Sequence, residues 1–148
     1  MRLMGDISKD INSKFPSNKV KALINIKYTA NWLNSHQNSF FKPFGISPQQ
    51  FNILKILKGA KEPLKVQTIK DRMIERAPNA TRLMDKLCAK KLIDRIPCPN
   101  DRRVVHIVIT DKGLKLLKEI HINVKEDLLE NLTQEEAMQL SDLLDKIR

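Results

Sequence analysis

Apolar residues along most of the chain recur at intervals of three and four positions, which is the spacing of an amphipathic helix. The pattern predicts about six helices, separated by polar stretches that contain Pro or Gly. Residues 1–18 are mostly polar and contain Pro16, so we expect a loose leader or a partly ordered arm there. The predicted helices cover approximately residues 19–41, 48–59, 65–73, 78–90, 110–128 and 133–147.

Two of the predicted helices begin at capping boxes. Ser47 is followed by Pro48 and then by Gln50, and Thr133 is followed three positions later by Glu136. In such a box the hydroxyl accepts a backbone hydrogen bond while the Gln or Glu side chain reaches back to the N–H of the cap. The helix that precedes the second box is predicted to be capped by Thr110.

Between the predicted helices at 78–90 and 110–128, two runs of apolar and β-branched residues lack the helical spacing and predict short strands. Leu92–Ile96 forms the first run and Val104–Ile109 the second, and the residues between them include two prolines and an asparagine. The pattern predicts a β-hairpin that carries Asp101-Arg102-Arg103 at or near its tip.

Two arginines on a protruding loop suit an anionic, grooved partner, since guanidinium groups bind phosphate and base edges with a fixed fork of donors. We assign Arg103 to the minor groove of DNA, where narrow A·T-rich sequence deepens the negative potential, and Arg102 to a phosphate. Asp101 is expected to hold Arg103 by a salt bridge. The alternative is an ordinary charged turn.

The helix before the hairpin has one apolar face and one polar face. Arg82 lies opposite the apolar face and is flanked by small polar and cationic side chains, as a helix that enters the major groove requires. The alternative is a solvated face on which Arg82 and Lys86 pair with Asp85. We predict major-groove contacts from Asn79, Thr81, Arg82 and Lys86, and phosphate contacts from Lys65 and Lys90.

The predicted order is four helices, the hairpin and two further helices. This order predicts a mainly α fold, an α+β winged helix-turn-helix with a two-stranded β-wing. We divide the chain into an arm (1–18), an N-terminal dimerisation helix (19–45), a DNA-binding module (46–110) and C-terminal dimerisation helices (111–148). The terminal helices carry more apolar surface than one small module buries, and a second copy is the partner we expect for that surface.

Charge supports this interpretation by its distribution. The net charge is +10, with ten bases and three acids in residues 1–64 and eleven bases and five acids in residues 65–103. Residues 111–148 reverse the balance, with six bases and nine acids. The positive field is therefore confined to the chain up to the end of the hairpin loop, as expected for a protein that binds a polyanion through that part.

Other functional classes find little support in the sequence. Four glycines and no nucleophile–base grouping argue against an enzyme, and we expect no cofactor. No acidic residue or cysteine stands at metal-ligand spacing from His36, His106 or His121 in the sequence, so no metal site is predicted. Cys88 and Cys98 favour a reduced, cytoplasmic setting, and neither a signal peptide nor a membrane span is predicted. The rival to a DNA reader is a winged helix that binds protein partners or RNA.

The same residues resemble the MarR family of bacterial transcriptional regulators. The similarity runs from about residue 20 to the C-terminus and is sharpest over PNATRLMDKLCAKKLI (78–93), then at Arg95, Asp101–Arg103 and 109–113. The resemblance implies a homodimer that binds a near-palindromic operator. Such proteins most often repress transcription, and a small aromatic or phenolic ligand or cysteine oxidation often relieves the repression. Lys91 stands where the family usually has the Gly that ends the recognition helix in a left-handed conformation. Members that sense peroxide typically carry their reactive cysteine in the first helix, and this chain has none there.

An effector pocket is a further possibility in the N-terminal half of the chain. Aromatic residues and a histidine follow one another at helical spacing and are joined by Phe51. Such a row more often forms plain core or a dimer contact. The candidate pocket residues are Tyr28, Trp32, His36, Phe40 and Phe51.

Overall fold

The computed structural model describes residues 4–148 and divides into two compact units. The first unit comprises the described residues up to Leu33 together with Lys125–Arg148, and the second comprises Asn34–Val124. The described residues form seven α-helices and three strands. The helices are α1 (Ile7–Asp10), α2 (Asn18–Phe41), α3 (Pro48–Ala60), α4 (Val66–Arg72), α5 (Ala80–Ala89), α6 (Asp111–Asn123) and α7 (Gln134–Ile147), and the strands are β1 (Leu64–Lys65), β2 (Ile93–Pro97) and β3 (Val105–Ile109).

The predicted helix caps are all present. Ser47 Oγ accepts a hydrogen bond from the N–H of Gln50 at 3.1 Å, and Gln50 Oε1 accepts one from the N–H of Ser47 at 2.9 Å. Thr133 and Glu136 make the same reciprocal pair. The bonds that Glu136 Oε2 accepts from the N–H and the hydroxyl group of Thr133 lower the pKa of the Glu136 carboxyl. Thr110 Oγ1 accepts from the N–H of Gly113 at 3.1 Å. Local sequence therefore fixes three helix starts in the chain.

The structure corrects one detail of the predicted fold, the end of a helix, and refines two others. The arm contains a short helix, α1, which Asp6 caps and which buries Ile7. The helix after Thr110 ends at Asn123 rather than near Leu128, because Val124 takes an extended conformation with ψ 102°. The described residues consequently form seven helices, where about six were predicted.

The wing is part of a three-stranded antiparallel sheet in the order β1-β3-β2, not a two-stranded hairpin. β2 pairs with β3 from Ile93 opposite Ile109 to Pro97 opposite Val105, as the hairpin prediction requires. The added strand, β1, pairs Leu64 with Ile107. A strand of two residues leaves no alternating pattern to recognise, so periodicity did not reveal it.

The second unit has a continuous apolar core around α3, which packs against α4, α5, α6 and β3. Ile53 and Leu54 of α3 are fully buried. They lie among side chains from every other major element of the unit, since the buried set also includes Ile69, Met84, Leu87, Ile93, Ile107 and Ile120. This core fixes α5 and the sheet with respect to one another.

The first unit covers far less of its apolar surface. No residue of α7 is buried, although the helix carries a row of large apolar side chains. The exposed members on the two long helices are Leu23, Ile26 and Tyr28 of α2, and Met138, Leu140, Leu143 and Ile147 of α7. Within residues 4–148 no helix combines the length and the apolarity that a bilayer span requires.

Candidate nucleic-acid interface

Helix α5 presents its polar face to solvent, as the helical wheel predicts. Ala80, Met84 and Leu87 are buried on the core side. Thr81, Arg82 and Lys86 are exposed, and so is Asn79, which occupies the N-cap position without a side-chain capping bond. Within residues 4–148 no ion pair involves Arg82. The predicted major-groove residues are therefore together on one accessible surface.

Polar contacts from α3 hold the N-terminal half of α5 in place. Gln50 is only 5% exposed, and its Nε2 donates to the carbonyl oxygen of Leu83 at 3.4 Å while its Oε1 closes the capping box. The loop before α5 is tied to α3 by a bond from the N–H of Ile74 to Asn52 Oδ1 at 2.9 Å. The sequence indicated Gln50 only as a cap, and its second bond depends on a tertiary contact.

The C-terminal end of α5 is closed by a left-handed residue. Lys91 has φ 60°, with its N–H bonded to Cys88 O at 2.9 Å and the next N–H, that of Leu92, bonded to Leu87 O at 3.0 Å. These two bonds define a Schellman motif, in which glycine is the favoured residue at the position of Lys91. The lysine is therefore held in a left-handed conformation that an L side chain rarely adopts.

The start of α6 secures the same end of α5. Thr110 Oγ1 donates to Lys91 O at 2.7 Å, and Lys112 Nζ donates to Lys90 O at 2.9 Å. Gly113 packs so closely that an added Cβ would overlap the carbonyl oxygen of Leu92. Both ends of α5 are consequently fixed to neighbouring elements by specific bonds.

The hairpin tip is ordered by a carboxylate, in a different way from the one predicted. Asp101 Oδ1 accepts a hydrogen bond from the backbone N–H of Arg103 at 2.9 Å, and Asp101 O accepts from the N–H of Val104 at 3.0 Å. The predicted salt bridge to the Arg103 guanidinium is wrong, since no ion pair between these two side chains is found in the described chain. Asp101 shapes the loop, and Arg102 and Arg103 are exposed with their guanidinium groups free of it.

An ion pair that the sequence did not predict joins α5 to the hairpin. Arg95 on β2 donates through Nη2 to Asp85 Oδ1 on α5. The bond raises the pKa of Arg95, so the guanidinium stays charged. The alternative in which Asp85 pairs with Arg82 or Lys86 is not observed. The partners are ten residues apart on different elements, so helical spacing gave no sign of the contact.

The two lysines predicted to bind phosphate differ in their surroundings. Lys65 ends β1 and is exposed. Lys90 is exposed as well, but its Nζ donates to the carbonyl oxygen of Gly45, which links α5 to the turn before α3. The Lys90 ammonium group therefore has an internal acceptor as well as solvent.

The predicted effector-pocket residues are divided between the two units. Tyr28 and Trp32 belong to the first, while His36, Phe40 and Phe51 belong to the second. Phe40 and Phe51 both pack on the buried Phe41, with ring centroids 5.0 and 4.6 Å from it. A cavity of about 600 Å³ lies elsewhere, lined by Gln67, Lys70, Asp71, Met73, Arg76, Ala77 and Pro78. The aromatic pocket stays a prediction.

Neither metal nor disulfide chemistry is evident in the described residues. No group of His, Cys, Asp and Glu in this part of the chain has the arrangement of a metal site. Cys88 and Cys98 are free thiols. Burial raises the pKa of the Cys88 thiol, and the positive charge of Arg95 opposes part of that rise.

Comparison with known sequences identifies relatives over most of the chain. The sequence model described as the MarR family matches residues 46–105. The transcriptional regulator MhqR of Bacillus subtilis (strain 168) is 32% identical over 120 residues, which cover 78% of this chain and 81% of MhqR. The multiple antibiotic resistance protein MarR of Escherichia coli (strain K12) is 31% identical over 114 residues, which cover 74% of this chain and 78% of that protein.

Solved structures show the same fold. A mutant MarR from E. coli, crystallised in complex with operator DNA, matches with a TM-score of 0.75 and 27% identity over 90% of this chain and 99% of that chain. The MarR transcription factor from Planctomyces limnophilus matches with a TM-score of 0.68 and 32% identity, covering 90% and 98% of the two chains. The similarity includes both the helices and the winged module.

Proposed function

The chain belongs to the MarR family, and we propose that it is a transcriptional regulator that binds operator DNA through α5 and the β2–β3 hairpin. The observation that carries this proposal is the Asp85–Arg95 pair. Asp85 follows Arg82 by three residues and so shares its face of α5, which means that the hairpin is bonded to the face that displays Arg82. This contact between α5 and β2 supports a single DNA-binding surface formed by the cationic helix and the cationic loop tip.

In the proposed complex α5 enters the major groove. Arg82 has the forked donors that match the O6 and N7 atoms of guanine, and Asn79 and Thr81 suit an adenine edge, a thymine methyl group or a phosphate. Lys86 lies one turn further along the exposed face and adds a further contact within the groove. These roles are supported by exposure and by the two fixed ends of the helix.

The hairpin is proposed to extend to the adjoining minor groove. Arg103 enters it, because narrow A·T-rich grooves attract arginine, while Arg102 binds a phosphate and Asp101 keeps the loop in shape. Lys65 contributes a phosphate contact from β1. Lys90 contributes less, since its ammonium group also bonds to Gly45 O.

We further propose that the regulator is a homodimer on a near-palindromic operator. The exposed apolar rows of α2 and α7 support this, because a soluble chain rarely leaves such a surface uncovered. Two copies related by a two-fold axis would present their α5 helices to half-sites about one helical turn apart. Repression relieved by a small aromatic ligand is the mode of action that family membership favours, and the cytoplasm is the setting.

The test is selection of DNA fragments from the source genome followed by gel shifts on the selected operator. Arg82→Ala is expected to cost about 1–3 kcal/mol and to relax base choice at one position of each half-site. Arg103→Ala should weaken binding and reduce the A·T preference beside each half-site. Equal operator affinity of the wild type and both variants would reject the assignment.

The same gel shifts, repeated over a range of salt concentrations, separate the rival functions. A duplex reader loses affinity steeply as salt rises and still prefers its operator to scrambled DNA. A winged helix that binds protein or RNA would show no preference between those two duplexes. Catalysis finds no support in the described residues, and the relative MhqR is named as a transcriptional regulator.

A further inference from the structure

Asp85 is an unexpected residue for a helix that approaches DNA. It is a carboxylate on the exposed face of α5, and its side chain is 53% exposed. A negative charge that faces a polyanion repels it. Asp85 also lies three residues after Arg82, a spacing at which opposite charges on a helix attract one another. Left alone, Asp85 would compete with DNA for the Arg82 guanidinium.

Arg95 counters both effects. Its guanidinium, from the neighbouring strand, hydrogen-bonds to Asp85 Oδ1 and brings a positive charge to the carboxylate. Arg82 has no ion-pair partner within residues 4–148. Arg95 is therefore bonded to Asp85, and the Arg82 guanidinium is available to contact DNA.

We propose that Arg95 is a positioning residue for DNA recognition: it sequesters the Asp85 carboxylate so that Arg82 is free to read a base. The inference rests on the proposed function. The competing explanation is that Arg95 only tethers α5 to β2. The two explanations predict different DNA affinities for a variant that lacks the charges of both Asp85 and Arg95.

The decisive comparison uses three variants on the selected operator. Arg95→Gln exposes the carboxylate, and we expect at least about a tenfold loss of affinity together with reduced discrimination against scrambled DNA. Asp85→Asn combined with Arg95→Gln removes the acid as well, and we expect affinity within about threefold of the wild type. Lys118→Gln, on the exposed side of α6, controls for the loss of one positive charge and should change affinity by less than about twofold.

If Arg95 is only a tether, the double variant should bind as weakly as Arg95→Gln, because the Asp85–Arg95 pair is absent there too. An unrecovered double variant, or an Arg95→Gln protein that binds like the wild type, would overturn the inference. If the wild type itself shows no operator preference, the proposed function fails instead. The two failures are therefore distinguishable.

Cys88 provides a readout that does not depend on DNA. Its thiol lies close enough to the cluster for Arg95 to lower its pKa, while Asp85 and Asp94 raise it. In a Cys98→Ser background, Arg95→Gln should slow alkylation of Cys88 and Asp85→Asn should accelerate it, each by at least about twofold. General loosening of the fold would accelerate both. Acceleration in both variants, or no change in either, would contradict the charge arrangement on which the inference depends.

Discussion

The two compact units of the chain differ in how they cover their apolar surface. The second unit, Asn34–Val124, buries a continuous core and fixes both ends of α5 with polar bonds. The first unit contains α7, which buries no residue at all and exposes Leu143 by 60%. The core of the second unit is thus complete within one chain, whereas the apolar surface of the first unit is the one that we propose a second copy covers.

This contrast has a thermodynamic consequence. Stability that comes from a chain's own core does not depend on protein concentration, whereas stability that comes from association does. Mutations in the two units should therefore differ in kind as well as in size.

The largest effect is expected in the core of the second unit. Leu54 is 0% exposed, and Leu54→Ala should cost about 2–5 kcal/mol of unfolding free energy because it leaves a cavity among well-packed neighbours. Urea titrations at two protein concentrations would give the same loss. Leu54→Met, which keeps the volume, should cost less than about 1.5 kcal/mol. A loss that appears only in dilute protein would contradict a self-sufficient core.

The next effect concerns the first unit. Leu143→Glu places a charge in the exposed apolar row of α7, and we expect the dimer dissociation constant to rise at least about thirtyfold, or about 2 kcal/mol. Sedimentation velocity over a range of concentrations measures it. Ser141→Glu adds the same charge at an exposed position on another side of α7 and is the matched control. A wild type that sediments as a monomer at micromolar concentration would contradict the proposed role of this surface.

The smallest effect is a gain at the end of α5. Lys91→Gly should stabilise the protein by about 1 kcal/mol, because relief of the left-handed conformation outweighs the added freedom of the unfolded chain. Ala89→Gly, at the last residue of α5, should instead destabilise it by up to about 1 kcal/mol. Thermal melts compare the two. Destabilisation by Lys91→Gly would mean that the Lys91 side chain contributes more than its backbone strain costs.

Much of the fold was predictable because its signals are local. The capping boxes at Ser47 and Thr133 and the hairpin around Asp101 are each encoded within a few residues, and each prediction is confirmed. β1 was missed because its two residues acquire strand geometry only by pairing with β3. The end of α6 was misplaced because apolar spacing continues through Val124 after the helix has stopped.

The exposure of the candidate site residues was predictable, but the contacts among them were not. The exposure of Arg82, Arg102 and Arg103 follows from the apolar pattern around them. The bond from Asp101 goes to a backbone N–H because a carboxylate two residues before that group reaches it more readily than a mobile guanidinium. The Asp85–Arg95 pair depends on the packing of β2 beside α5, which no linear spacing encodes.

The central claim is that α5 and the hairpin bind one duplex together. Hydroxyl-radical footprinting of the wild type and of Arg103→Ala on the selected operator tests it most directly. The account predicts two protected half-sites about one helical turn apart, with protection beside each lost in the variant and retained at its centre. Uniform protection that does not depend on sequence, or footprints that Arg103→Ala leaves unchanged, would contradict it.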